Sequence, residues 1–308
     1  MRIEILGSAA GGGFPQWNCC CRNCQAFRAG TFSGKSRTQT QVAVTNDHDS
    51  WFLLNASPDL RLQIEAASFL HPAGERRHSP IRAVLLTGAD IDQIAGLLSL
   101  RELHPFTIYC TPSIRHILQE RNSVFRMLNR VPGQVSWIDL RIGESFPLRN
   151  RAEQESGICA SVFSIGNRYP AYVSDAHAEA LVPGEASVGL FLESARGKVA
   201  YLPAVPQVDP SLLDRLDSVD LLLFDGTFWT DDELIRVQGS GATAREMGHI
   251  PVSGAGSSLQ RLSGLQRPRK VLLHINNTNP MLDESGPEYQ QVRDAGWEIA
   301  ADGMRFDL

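Results

Sequence analysis

Apolar residues along this chain fall into short runs bounded by Gly, Pro, Asn, Asp and Ser, the pattern of half-buried or buried strands. Twelve such runs stand out: Arg2–Leu6, Thr40–Thr45, Trp51–Asn55, Ile81–Thr87, Phe106–Cys110, Val135–Leu140, Cys159–Ile165, Val188–Leu192, Val199–Leu202, Leu221–Phe224, Val271–Ile275 and Trp297–Ala300. Helical patterns with start signals follow several of them. Ser57-Pro58 opens one through Phe69, Asp209-Pro210 opens Ser211–Leu216, and others span Ser253–Leu265 and Ser285–Ala295. Ile94, Leu97, Leu98 and Leu100 carry helical spacing just after Asp90 and Asp92. The pattern predicts an α/β chain. Twelve strands exceed one ordinary open sheet, so two packed sheets with outer helices are expected. The polar stretch Arg149–Gly157 brings no shift in composition, so a single domain over residues 1–308 is expected.

Composition narrows the class. The 308 residues are 43% hydrophobic and 20% charged, as in a soluble globular protein, with a formal net charge of -5. Mixed charge of that sign does not favour a nucleic-acid surface. No apolar run approaches the ~20 residues of a membrane helix. Met1–Leu6 reads as a short alternating strand rather than a secretory leader. The expected location is the cytoplasm, without a membrane segment or nucleic-acid partner.

The polar residues that end the strands carry the chemistry. Asn55-Ala-Ser-Pro-Asp59, Asp90 with Asp92, Asp225-Gly-Thr227, and His274-Ile-Asn-Asn-Thr-Asn-Pro280 each follow an apolar run. A lone Asp at a strand exit is ordinarily a helix cap. Several acids and imidazoles at the exits of one sheet can bind a divalent metal, iron and manganese included. His274 reads as a core residue or a ligand. His249, in Met-Gly-His-Ile-Pro, reads as a ligand, a general acid or base, or a helix-entry residue. His48, His71, His78, His104 and His116 read as surface residues, and His177 lies on an expected mobile loop with a weak case for a lid.

Six cysteines are present, and Cys19, Cys20, Cys21 and Cys24 crowd into one segment. Cys19-x-Cys21-x-x-Cys24 can place three thiolates on one tetrahedral ion, with zinc the default choice. Cys20 points away, because neighbours in an extended segment face opposite sides. The fourth ligand is expected from His274 first, His249 next. Cys110 and Cys159, in apolar runs, are expected core thiols. The loop Gly7–Gly13 lacks both a GxGxxG spacing and a Walker lysine, so it predicts close backbone packing rather than nucleotide binding.

Several segments together resemble one family. They are Ile5–Cys19, Leu54-Asn-Ala-Ser-Pro-Asp-Leu-Arg61, Gly96-Leu-Leu-Ser-Leu-Arg-Glu102, Met247-Gly-His249, and His274-Ile-Asn-Asn-Thr-Asn-Pro280. They resemble the coenzyme PQQ (pyrroloquinoline quinone) synthesis protein B family, over nearly the whole chain and least at Arg149–Glu185. The resemblance implies the metallo-β-lactamase fold, a four-layer αββα sandwich. Hydrolases of that fold carry Thr-His-x-His-x-Asp-His at the turn that here begins with Thr87. By position the first two imidazoles fall on Gly88 and Asp90, Asp92 is kept, and the last imidazole falls on Gln93. Family members usually retain that last Asp-His pair, so Gln93 is a departure.

The resemblance also implies a function. Members are described as iron-dependent oxygenases that hydroxylate the tyrosine ring of a small peptide-derived PQQ precursor made from a crosslinked Glu-Tyr unit. An older description makes them carriers of the cofactor or its precursor. The loss of the hydrolase histidines places a zinc hydrolase last. On the oxygenase reading, a mononuclear iron lies among Asp90, Asp92, Asp225 and His249, with His274 shared only if zinc does not take it. Gln93 is the residue whose effect on that metal is in question. Asn276, Asn277 and Asn279 would orient substrate carboxylates or bound oxygen species. Homodimerisation is left open.

Overall fold

A computed structural model describes residues 1–74, 77–173 and 181–308 of the chain. His177 lies outside the described residues. In chain order the strands are β1 (Arg2–Gly7), β2 (Gln41–Thr45), β3 (Trp51–Leu54), β4 (Ile81–Leu85), β5 (Phe106–Cys110), β6 (Val135–Asp139), β7 (Ser145–Arg149), β8 (Glu155–Gly166), β9 (Ser187–Ser194), β10 (Gly197–Leu202), β11 (Leu221–Asp225), β12 (Arg269–Leu273), β13 (Trp297–Ile299) and β14 (Arg305–Asp307). The chain divides into two compact units.

The first unit comprises Met1–Leu6, Gln41–Arg196 and Arg305–Leu308. Its sheet runs β14-β1-β2-β3-β4-β5-β6. The two ends of the chain pair in it, with Arg2 opposite Asp307 and Ile3 opposite Phe306. β3, β4, β5 and β6 are parallel, so their exits gather at one edge. The helices Leu60–Ala66 and Pro112–His116 make two of the crossovers that parallel pairing requires. Trp51 is fully buried against Phe69, with ring centroids 4.3 Å apart. A side chain of this kind contributes on the order of 2–3 kcal/mol by leaving water.

The same unit holds the antiparallel β7, β8 and β9, with Arg149 opposite Glu155 and Ala160 opposite Leu192. The polar stretch after Arg149 is therefore a hairpin turn. β8 alternates, with Ile158 and Ala160 buried and Cys159 exposed between them. That corrects the reading of Cys159 as a core thiol: its two-residue period assigns it to the outer face. Cys110, in the buried strand β5, is fully buried as expected.

The second unit comprises Gly7–Thr40 and Gly197–Met304. Here β10, β11, β12 and β13 are parallel and in sequence order. Helices Pro210–Leu216 and Pro287–Asp294 supply crossovers. The first is capped by Asp209, whose Oδ1 accepts from Leu212 N–H at 2.8 Å. Leu221–Asp225 is buried at every position, as a parallel strand covered on both faces must be. Phe224 and Trp297 meet edge to face at 6.0 Å inside it. The expected helix Ser253–Leu265 contracts to Ser258–Arg261. Gly254 and Gly256 both take positive φ and prevent an earlier start.

Candidate metal centres

Both groups of metal-type side chains that the described residues bring together lie within the second unit. The first is Cys19, Cys21 and Cys24, whose sulfurs all lie within 4.8 Å of one another. Helix Arg22–Arg28 begins between them and buries Asn23 and Cys24. Asn23 Nδ2 donates to the carbonyls of Asn277 and Asn279 at 3.1 and 2.9 Å, locking this turn to the loop after β12. The glycine-rich segment is fixed to the same exit: Ile275 N–H donates to Ser8 O at 3.0 Å, and Ala10 N–H to Ile275 O at 2.9 Å. Cys20 is exposed, as expected.

The side chain facing these sulfurs is Asn277. Its Nδ2 lies 3.1 Å from Cys19 Sγ, 3.5 Å from Cys21 Sγ and 3.4 Å from Cys24 Sγ. A carboxamide nitrogen has two hydrogens and cannot satisfy three sulfurs at once. Burial pushes the Cys21 thiol up to about 12, and its neighbours Cys19 and Cys24 add to that. Cys19 is also raised by burial, but hydrogen bonds from the Cys21 backbone and side chain, Asn277 and Cys24 outweigh it and hold it low. Three crowded sulfurs with one shared polar partner are the donor set of a thiophilic ion. His274, expected first as the fourth member, stands elsewhere, and so does His249.

They stand together with Asp225, their ligand atoms within 4.8 Å of one another. Asp225 ends β11 and is fully buried. Its Oδ2 accepts from Val205 N–H and from His249 Nδ1, both at 2.8 Å. Its Oδ1 accepts from Thr227 N–H at 3.0 Å and Thr227 Oγ1 at 2.7 Å. Thr227 Oγ1 also lies 3.0 Å from His249 Nδ1 and 2.8 Å from His274 Nδ1. The two imidazoles are stacked, centroids 5.3 Å apart. His274 takes a left-handed backbone (φ 58) directly after β12. Such a conformation costs a non-glycine residue roughly 1–2 kcal/mol, and the hydrogen bonds of Ile275 on its far side hold it. Gly226 lets the chain pass here, since a Cβ on it would lie 2.9 Å from Leu272 Cβ.

Proton counting fixes the hydrogen-bond directions. A carboxylate oxygen only accepts, so the single Thr227 hydroxyl hydrogen goes to Asp225 Oδ1. The Thr227 oxygen then accepts from Nδ1–H of both imidazoles, and that of His249 is shared with Asp225 Oδ2.

The amide loop is used less uniformly than the sequence suggests. Asn276 Nδ2 donates to Thr278 Oγ1 at 2.5 Å. Asn279 differs from the expectation of a substrate contact. It is fully buried, donates to the carbonyls of Gly226 and Thr227 at 3.1 and 3.2 Å, and accepts from Met281 N–H at 3.1 Å. Sequence reading also passes over Glu233. Burial pushes its carboxyl up to about 7, against hydrogen bonds from Thr278 and the backbone of Trp229 and Thr230. Its place in the first turn of helix Glu233–Gln238 gives no signal beyond an ordinary surface acid.

In the first unit, the turn after β4 is held by Asn55. Its Oδ1 accepts from Thr87 N–H at 2.8 Å, and its Nδ2 donates to Thr87 Oγ1 at 2.9 Å. Asp90 occupies the cap position of helix Ile91–Ile94, yet its side chain makes no cap hydrogen bond. Asp92 is half-buried in the first turn. Gln93 is buried, and its Oε1 has no hydrogen-bond partner among the described residues. That oxygen fills the space that Gly88 leaves: a Cβ on Gly88 would lie 2.3 Å from it.

This fold and these ligand clusters define a metallo-β-lactamase-like protein, and residues 50–275 match the Beta-lactamase superfamily domain. The chain is 42% identical to coenzyme PQQ synthesis protein B of Methylorubrum populi over 308 residues, all of both chains. It is 41% identical, with a TM-score of 0.91 and full coverage of both chains, to the crystal structure of Zn(2+)-bound PqqB from Methylobacterium extorquens. A diphosphatase from the PhnP family shares the fold at 18% identity and a TM-score of 0.67, over 100% of this chain and 97% of that one. The chain belongs to the coenzyme PQQ synthesis protein B family.

Proposed function

We propose that this chain is a metal-dependent oxygenase of PQQ biosynthesis that hydroxylates the tyrosine-derived ring of a small Glu-Tyr-derived precursor. The observation that carries this reading is the convergence of His249, His274 and Asp225. Two imidazoles and one carboxylate, with positions left open, are the ligand set of non-haem iron oxygenases. Iron held there would supply activation of dioxygen. The chain's own residues do the rest. Thr227 fixes the ring orientations of both histidines. Asn279 braces the strand exit from below. Glu233, through Thr278, sets Asn276.

Cys19, Cys21 and Cys24 fit a second, structural ion. The relative from Methylobacterium extorquens is a zinc-bound protein, and three thiolates suit zinc. Asn277 is the fourth ligand of this proposal, its amide turned to present Oδ1 rather than Nδ2 to the sulfurs. The proposed place of work is the cytoplasm.

The experiment is anaerobic loading with ferrous iron, then oxygen, a reductant and a Glu-Tyr peptide, followed by mass spectrometry. The expected result is a product heavier by one oxygen, absent without iron. A protein with full iron occupancy and no such product would overturn the oxygenase reading. Gln93 favours a second reading, a binder of PQQ or its precursor without chemistry, because a neutral amide is a weaker ligand than the imidazole it replaces. That reading expects tight PQQ binding with zinc as the sole bound metal.

A further inference from the structure

We propose that a cavity at the amino-terminal ends of β4 and β5 is a second ligand site, built for a small carboxylate-bearing organic anion. The cavity measures about 620 Å³, within the ~300–1,000 Å³ of small-molecule sites. Its floor is apolar: Ile81 opens β4, Phe106 opens β5, and both are buried. Its walls are basic, formed by Arg77, His78, His104 and Arg151. The turn that carries Gly88 and Gln93 lies beyond the other end of β4. At ~3.3 Å per residue the strand alone separates them by roughly 16 Å.

Among the described residues, the positive charge of this cavity is not neutralised from within. Glu102, the acid in its lining, is paired with Arg101 Nη2 at 3.4 Å. Asp49 and Glu153 line an adjoining recess. Glu153 is taken by Arg82, and no ion pair among the described residues joins Asp49 to a basic group of the cavity. Arg77 and Arg151 have no carboxylate partner among the described residues. His104 responds to the resulting field. Burial lowers its affinity for a proton first, and Arg151, His78 and Arg82 lower it further, against one hydrogen bond to the Ser79 backbone. The His78 and His104 rings meet edge-on at 6.4 Å.

Two guanidinium forks and two imidazoles over an apolar floor match a particular chemistry. An arginine fork fits a carboxylate in two parallel hydrogen bonds. The floor takes a compact or flat apolar body. The ligand is therefore an organic acid, since a bare inorganic anion would leave Leu103, an exposed apolar side chain of the lining, uncovered.

The test is calorimetric titration of the full chain with benzene-1,3-dicarboxylate, with benzene-1,3-dimethanol as its neutral counterpart and inorganic phosphate as the bare anion. The dicarboxylate is expected to bind, and the diol and phosphate at least tenfold more weakly. Arg77→Gln and Arg151→Gln are exposed-site changes that leave the fold intact, and each is expected to weaken dicarboxylate binding roughly tenfold. In parallel, the His104 ring proton resonance should titrate at higher pH when the site is filled. The proposal is overturned if binding is unchanged in both variants, if the diol or phosphate binds as well, or if His104 titrates identically with and without the dicarboxylate.

Discussion

Thr227 places its hydroxyl oxygen 2.8 Å from Nδ1 of His274 and 3.0 Å from Nδ1 of His249, while lying 2.7 Å from Oδ1 of Asp225. One hydroxyl thus sets the orientation of two imidazoles and a carboxylate. Thr227→Val keeps the shape and removes the hydroxyl, so both rings lose their shared partner. Loss of such an orienting partner typically lowers metal affinity 10- to 100-fold. Competition with a chelator should show that loss for ferrous iron, and Thr227→Ser should restore most of the affinity. Equal affinities in Thr227→Val and the parent chain would refute this role.

The thiol cluster predicts a separable effect. Cys24→Ser replaces a buried sulfur that belongs to the group of three. Elemental analysis should show zinc lost from the variant and iron retained. Because zinc binding is linked to folding, the variant should also melt at a lower temperature. Asn277→Asp offers the same position a charged oxygen and should keep zinc, whereas Asn277→Ala should weaken it. Zinc occupancy that is indifferent to all three changes would place the ion elsewhere.

Much of this was legible in the sequence, and the gaps have physical causes. Buried strands such as Phe106–Cys110 announce themselves because nearly every position is apolar or β-branched. β7 is hidden by Pro147, which is tolerated at a sheet edge but reads as a breaker. β14 has three residues, too few for a period. The thiol triad is visible because its spacing is local. The sequence offers His274 as the first candidate for the fourth ligand of the sulfurs. Its left-handed backbone turns it towards Thr227, and Asn277 comes to the sulfurs instead. Such a choice depends on backbone geometry at a strand exit, which composition does not encode.

Gly88 and Gln93 form a coupled pair. A Cβ at position 88 would lie 2.3 Å from Gln93 Oε1, far inside van der Waals contact. Gly88→Ala should therefore destabilise the chain by roughly 1–3 kcal/mol through overpacking. Shortening the amide in Gly88→Ala/Gln93→Ala should recover part of that loss, a positive coupling in a double-mutant cycle measured by urea unfolding. Additive effects would mean that the Gln93 side chain does not occupy this space. Gln93→His is the separate test of function. If the turn takes part in metal binding, iron occupancy should rise. An unchanged occupancy would remove Gln93 from the metal.

Glu233 predicts a pH dependence of stability. Burial raises its folded-state carboxyl to about 7, above the ordinary 4.5. The unfolded chain therefore releases this proton first as pH rises. The neutral carboxyl's contribution is fully present below the unfolded value, declines through the window between the two, and is lost above about pH 7. The shift corresponds to an upper bound of about 3 kcal/mol. Glu233→Gln keeps a neutral group of the same shape beside Thr278 and the Trp229 N–H. Its stability should match the parent chain near pH 5 and exceed it at pH 8, with the difference appearing between them. Urea unfolding at pH 5, 6.5 and 8 measures this directly. A difference that is constant across the three values would show that Glu233 is ionised throughout in the folded chain.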